Sequence, residues 1–155
     1  MKKIFIAAVS GGKDSTATLL LALQFQKQHP DTLVYPTFTD TCWEHPAVYE
    51  YLDYLEAKLN IKIARIKSQK YENLLDLIER KRMFPSATRR FCTDLLKTQP
   101  LNDYILEHST EGEIMNGNVE LWLGIRSDES KARRVRYGHL INDDVYEYAD
   151  VFPNL

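Results

Sequence analysis

A chain of 155 residues, 44% hydrophobic and 27% charged, is long enough for one domain with a buried core. Its formal net charge of −2 excludes a uniformly basic nucleic-acid binder and a disordered acidic tail. Two cysteines, Cys42 and Cys92, make no disulfide framework and no C-x-x-C pair, which points to the cytoplasm. The start MKKIFIAAVSGG has an apolar run only from Ile4 to Val9, too short for a secretory signal, and no segment is long enough to cross a membrane.

In chain order, residues 3–9 (KIFIAAV) form a continuous apolar run, the pattern of a central strand in a parallel sheet. Residues 15–28 predict a helix with Ala17, Leu20, Leu21 and Phe25 on its apolar face, ended by His29-Pro30-Asp31. Residues 33–39 (LVYPTFT) read as a second strand, and Pro36 argues for an edge or a strand end. Pro46 suits the first turn of the next helix, with Val48, Tyr51, Leu52, Leu55 and Leu59 on one face. Residues 61–66 (IKIARI) alternate as a third strand, and residues 71–80 predict a helix with Tyr71, Leu74, Leu75 and Ile78 on one side. Residues 83–92 (MFPSATRRFC) break the regularity, and a helix over 94–108 should bend near Pro100. Residues 109–118 read as a mobile loop with an Asn116-Gly117 turn, before a fourth strand at 119–125 (VELWLGI). A charged stretch, 126–138, and a short last strand near 145–151 complete the chain.

Alternating strands and helices imply a single α/β domain over residues 1–155 with a mainly parallel sheet. Such sheets bind ligands at the carboxyl ends of their strands, where the strand order reverses. The segments placed there are Ser10 to Ser15, Asp40 to Pro46, Ser68 to Tyr71 and Arg126 to Glu129. The first is the most specific. Of only six glycines, Gly11 and Gly12 stand side by side where strand becomes helix, inside Ser10-Gly11-Gly12-Lys13-Asp14-Ser15. Glycines let backbone N–H groups approach an anion, the helix N-terminus adds partial positive charge, and Lys13 adds a full one. The string is neither G-x-x-x-x-G-K-[ST] nor G-x-G-x-x-G. The competing reading is a plain turn with Asp14 or Ser15 as helix cap.

SGGKDS is similar to the Ser-Gly-Gly-x-Asp-Ser pyrophosphate loop of the PP-loop ATP pyrophosphatases. Within that superfamily, TDTCWEHPAVYEYLDYLE (39–56), FPSATRRFCTDLLKTQPL (84–101) and LGIRSDESKARR (123–134) resemble the phosphoadenosine phosphosulfate (PAPS) reductase group. The resemblance implies an adenine nucleotide α-hydrolase-like fold, a three-layer α/β/α sandwich on a mostly parallel, about five-stranded sheet. It implies that Ser10, Gly11, Gly12, Lys13, Asp14 and Ser15 hold the β- and γ-phosphates of ATP, and that backbone near Ala8, Phe38 and Gly124 lines the adenine pocket. It also implies that Asp40 lies near the nucleotide and helps to place Mg²⁺, that Arg126 reaches phosphate, and that Arg89 and Arg90 ride on a mobile lid. Lys13, Asp14 and Arg126 are the implied catalytic set.

The charges support an anionic ligand on their own terms. Residues 80–97 hold Arg80, Lys81, Arg82, Arg89, Arg90 and Lys97 against Asp94, and residues 126–138 hold Arg126, Lys131, Arg133, Arg134 and Arg136 against Asp128 and Glu129. Solvated helix faces are the competing reading. Members of the superfamily cut ATP between the α and β phosphates and adenylate an acceptor. The reductases use a cysteine in a Glu-Cys-Gly-Leu-His tail, whereas this chain ends VFPNL, and two cysteines cannot ligate a four-thiolate iron–sulfur cluster. The resemblance therefore implies ATP and Mg²⁺ as cofactors, no iron–sulfur cluster, and an unknown acceptor, either a small molecule or a nucleic acid as in DNA phosphorothioation. A sulfonucleotide-binding protein and a non-catalytic nucleotide-binding module are the alternatives. A homodimer, or a partner protein supplying a thiol, is consistent with either. Longer relatives of this kind continue past the position of Leu155, so the chain is expected to lack their C-terminal region. Cys92, beside Arg89 and Arg90, is either a reactive thiol or a buried structural one, and Cys42 beside Trp43 is expected to be structural.

Overall fold

The computed structural model describes residues 2–86, 88–125, 131 and 135. Four strands among them, β1 (Lys3–Ala8), β2 (Thr32–Thr39), β3 (Ala64–Ile66) and β4 (Val119–Leu123), form one sheet in the order β3-β2-β1-β4. Every pairing is parallel. Ile4, Phe5, Ile6 and Ala7 are all buried, so the unbroken apolar run of β1 has both faces covered and sits centrally, as a fully buried parallel strand must. The chain leaves β1 toward β2 on one side, and later returns to pair β4 on the other. That reversal puts the topological switch point at the carboxyl end of β1.

The two sheet faces are packed by different helices. Phe5, Ala7, Phe38 and Trp122 meet Leu19 and Ala22 of α1 (Lys13–Gln28) and Leu52 and Leu55 of α2 (Pro46–Leu59). Ile4 and Ile6 meet Leu101, Tyr104 and Ile105 of α5 (Gln99–His108). The result is the three-layer α/β/α sandwich expected, with one strand fewer than expected among the described residues. The last strand expected near 145–151 lies outside them. Phe5 and Trp122 stack at 4.6 Å, which locks β1 to β4 beneath α1. A third, smaller cluster joins Tyr71, Leu77 of α3 (Leu74–Lys81) and Leu96, with Phe91 and Cys92 packed on it.

Several local expectations are corrected. Pro36 is buried inside β2, a strand with neighbours on both sides, rather than at an edge or end. The Thr37 carbonyl accepts the Val9 N–H, so Thr37 turns its backbone toward β1 and Pro36 turns its own toward β3. Pairing with β3 begins only at Thr37↔Ala64, so the missing N–H faces the space before β3 starts. In α1 the buried set is Ser15, Thr18, Leu19 and Ala22, while Leu20 and Leu21 are 46% and 47% exposed. The hydroxyls of Ser15 and Thr18 donate to the carbonyls of Gly12 and Asp14, so these small side chains face the sheet without an unsatisfied donor. In α3 the fully buried residue is Leu77, and Leu75 is exposed.

Residues 109–118 are not simply a loop. Thr110 and Glu113 make a reciprocal capping box that starts the short helix α6 (Glu111–Met115), with the turn following at Gly117. The irregularity expected near Pro100 takes the form of a π-helical stretch, Asp94–Thr98, between α4 (Phe91–Thr93) and α5. The N–H that Pro100 lacks would have bonded the Leu96 carbonyl in a regular helix.

Leu19→Ala should cost about 2–5 kcal/mol in urea unfolding, and Leu20→Ala less than about 1 kcal/mol. Equal losses at the two positions would contradict the observed face of α1.

Candidate functional site

The Ser15 hydroxyl organises the loop after β1. It donates to the Gly12 carbonyl at 3.0 Å and accepts from the Ser10 N–H and the Ser10 hydroxyl, each at 3.0 Å. The Gly12 carbonyl also accepts the Thr16 N–H at 3.1 Å and the Thr16 hydroxyl at 2.9 Å. Gly11 has φ +78°, and a Cβ there would stand 2.9 Å from Val48 Cγ1 of α2. Both the backbone conformation and the contact with α2 therefore require glycine. Gly12 holds the N-cap position of α1, so Asp14 and Ser15 lie within the first turn rather than at the N-cap. An uncapped first turn at the switch point, with exposed Lys13 on it, is an anion-binding geometry.

Gly124 closes the other wall. A Cβ on Gly124 would lie 2.5 Å from the Asp14 carbonyl carbon and 2.5 Å from the Ser15 nitrogen. The end of β4 thus runs directly against the first turn of α1, backbone on backbone. Ala8 pairs with Thr37 on one side and Leu123 on the other, so Phe38 and Gly124 lie one step beyond it on the two flanking strands. Phe38 as a whole is 2% exposed and packs in the core beneath the edge. Arg89 and Arg90 are exposed and belong to the turn before α4. There Arg89 contacts Met83 Sδ at 3.1 Å and its N–H donates to the Ser86 hydroxyl. Arg126 lies outside the described residues.

Asp40, 5% exposed after β2, is held from three directions. Its Oδ1 accepts the Cys42 N–H at 2.7 Å and the Tyr49 hydroxyl at 2.8 Å, and its Oδ2 is 3.6 Å from Lys67 Nζ. Tyr49 is pushed up to about 12, first by burial and then by its hydrogen bond to the Asp40 carboxylate and the charge there. Lys67 is held above its ordinary value, first by a hydrogen bond to the Cys42 side chain and that group's charge, and then by the charge of Asp40. Cys42 itself takes a left-handed backbone, φ +54°. The sequence pointed to Asp40 alone. Cys42 and Tyr49 fall within the segment 39–56 but do not stand out in it as site residues, and Lys67 carries no motif. A local turn brings in Cys42, and the packing of α2 and the end of β3 bring in Tyr49 and Lys67. Nearby, Glu44 accepts from the Thr41 hydroxyl at 2.9 Å and pairs with Lys97 at 3.7 Å. Cys92 is half-buried against the Leu77–Leu96 cluster, the packing of a structural cysteine.

The surroundings of Asp40 do not fit a resident Mg²⁺, which takes about six oxygen ligands at about 2.1 Å. Such an ion commonly takes one or two carboxylates, with water and substrate phosphate completing the set. Here, however, Oδ1 already accepts two hydrogen bonds and Oδ2 faces an ammonium that occupies the cation's place. Among the described residues no three His, Cys, Asp or Glu side chains converge to hold a metal, and no helix is long and apolar enough to cross a membrane.

A parallel α/β/α sheet with an uncapped, glycine-shaped loop at its switch point defines a nucleotide-binding domain of the PP-loop type. The chain belongs to the phosphoadenosine phosphosulfate reductase domain family, which it matches over residues 4–153. It is 32% identical to an uncharacterized 37.8 kDa protein of Escherichia phage 186, over 84% of this chain and 49% of that one. It is 29% identical to an uncharacterized protein of Methanocaldococcus jannaschii, over 88% of this chain and 25% of the other. It is 27% identical to an uncharacterized nin region protein of Escherichia phage lambda, over 87% of this chain and 52% of the other. The chain thus spans about half the length of the phage relatives and a quarter of the archaeal one.

Gly124→Ala should lower stability by about 1–3 kcal/mol, read from the urea midpoint, because the new Cβ collides with backbone rather than with a side chain that can move. For Tyr49, a folded value of about 12 against an ordinary 10.0 means that both states keep the proton below pH 10. Between the two values the unfolded chain ionises first, so its contribution to stability is lost as pH rises from 10.0 to about 12. Wild type should lose stability across that window more steeply than Tyr49→Phe. Parallel pH profiles would contradict the Tyr49–Asp40 bond.

Proposed function

We propose that this domain binds ATP on the Ser10–Ser15 loop and transfers its adenylyl group to an acceptor, releasing pyrophosphate. The observation that carries the reading is the conformation of that loop: Gly11 at φ +78°, Ser15 tying Ser10 to Gly12, and α1 beginning without a side-chain cap. The first N–H groups of a helix have no intrahelical partner, and a pyrophosphate offers them more acceptor oxygens than a single carboxylate. The step is an attack by an acceptor oxygen on the α-phosphorus. The bond from that phosphorus to the oxygen bridging it to the β-phosphorus breaks, the electron pair leaves on pyrophosphate, and the acceptor's proton is released. The loop N–H groups and Lys13 stabilise the charge that builds on the leaving group. Asp14 and Arg126 complete the proposed catalytic set, with Arg89 and Arg90 closing over the phosphates. The base is proposed to rest against the backbone of Phe38 and Gly124. The acceptor is proposed to be a small molecule or a nucleic acid, and the setting cytoplasmic.

A second reading puts a sulfonucleotide on the same loop, and membership of the PAPS reductase domain family supports it. Calorimetry with ATP and with PAPS, followed by assay for AMP transfer and pyrophosphate, separates the two. ATP should bind, and Gly11→Ala should weaken it by about tenfold or more through lost backbone contacts. Asp14→Ala should abolish turnover with the fold intact. Preference for PAPS would move the assignment to the second reading. ATP affinity unchanged in Gly11→Ala would remove the loop from the function altogether.

A further inference from the structure

Asp40 is a buried carboxylate, and a buried charge demands compensation. The chain supplies it internally. Two donors take Oδ1, and the Lys67 ammonium stands against Oδ2. Lys67 follows the last residue of β3, so it lies at the carboxyl edge of the sheet, the ligand edge of this architecture. Its side chain is 58% exposed. An ammonium has three donors. Lys67 stands 3.6 Å from Asp40 Oδ2 as an ion pair, and its exposed flank leaves donors for a further partner. The cluster is also joined to the loop. Val48 touches Gly11, and the next residue, Tyr49, holds Asp40, so consecutive residues of α2 bridge the phosphate loop and the Asp40–Lys67 pair.

We infer that Lys67 supplies at Asp40 the positive charge that a divalent cation would otherwise supply, and that its ammonium contacts an anionic group of the substrate directly. Asp40 and Tyr49 are then positioning residues for Lys67, and nucleotide binding does not depend on a metal seated at Asp40. An ammonium and a magnesium ion compete for the same carboxylate oxygen, and here the ammonium is covalently tethered beside it. The inference rests on the proposed occupation of the loop by a nucleotide, and names the residue that recognises the anion on the β3 side.

The test is calorimetry of the full chain with ATP, in excess Mg²⁺ and in EDTA, for wild type, Lys67→Met and Lys67→Arg. Wild type should bind ATP in EDTA within about threefold of its affinity in Mg²⁺. Lys67→Met should lose about tenfold or more in EDTA, the loss of one charge-assisted contact, and should recover affinity when Mg²⁺ is added. Lys67→Arg should retain most of the binding in EDTA. A merely structural role for Lys67 would not create that metal dependence. Lys67→Gln serves as the second variant should Lys67→Met fail to fold. Loss of wild-type binding in EDTA would overturn the inference, and so would Lys67→Met behaving as wild type while Gly11→Ala weakens binding. ATP binding indifferent to both Gly11→Ala and Lys67→Met would instead overturn the loop reading on which the inference rests.

Discussion

The carboxyl edge of this sheet is organised by one close approach, the backbone of Gly124 against the peptide between Asp14 and Ser15. No Cβ fits between them. Because β4 comes that near, the first turn of α1 is wedged between β4 and α2, and Gly11 meets Val48 on the far side. The turn cannot relax by sliding toward either neighbour. Its backbone is therefore held in place by its neighbours. Ser15 fixes the same turn from within, by bonding both Ser10 and Gly12. An anion that binds there meets donors whose ordering was settled on folding, which is how preorganisation turns a helix N-terminus into a selective site.

The second constraint is electrostatic. Burying Asp40 commits the surrounding chain to supplying donors, and these come from three different places: the turn at Cys42, the first turns of α2 at Tyr49, and the end of β3 at Lys67. Each of those elements is thereby tied to the same point at the mouth of the sheet. Burial first, and then the Asp40 carboxylate, raises Tyr49; for Lys67 the Asp40 charge adds to the larger effect of the Cys42 side chain. Adjacent residues of α2, Val48 and Tyr49, connect this point to the Ser10–Ser15 loop.

Membership of the PAPS reductase domain family agrees with this arrangement. The architecture puts its polar groups where a nucleotide's charged end would enter. The hydrophobic side chains beneath, Phe5, Phe38 and Trp122, support the edge from inside and do not reach it. Specificity must then come from backbone and from a few fixed charges, which is why single glycines matter here as much as any side chain.

The sequence by itself determined the alternation of strands and helices, the central position of β1, and the loop. Each of these is a local pattern: an apolar run buried on both faces, a proline at a helix start, two glycines at a strand-to-helix turn. Asn116-Gly117 was legible for the same reason. The inner face of α1 was not, because apolar residues surround that helix and only the approach of the sheet selects Leu19 over Leu20. Pro36 was misread because a strand's neighbours cannot be known from the strand. Whether a missing N–H is tolerated depends on where β3 begins. The partners of Asp40 were invisible for a related reason. Tyr49 and Lys67 lie nine and twenty-seven positions further along the chain, and only the packing of α2 and the register of β3 bring a phenol and an ammonium to one carboxylate.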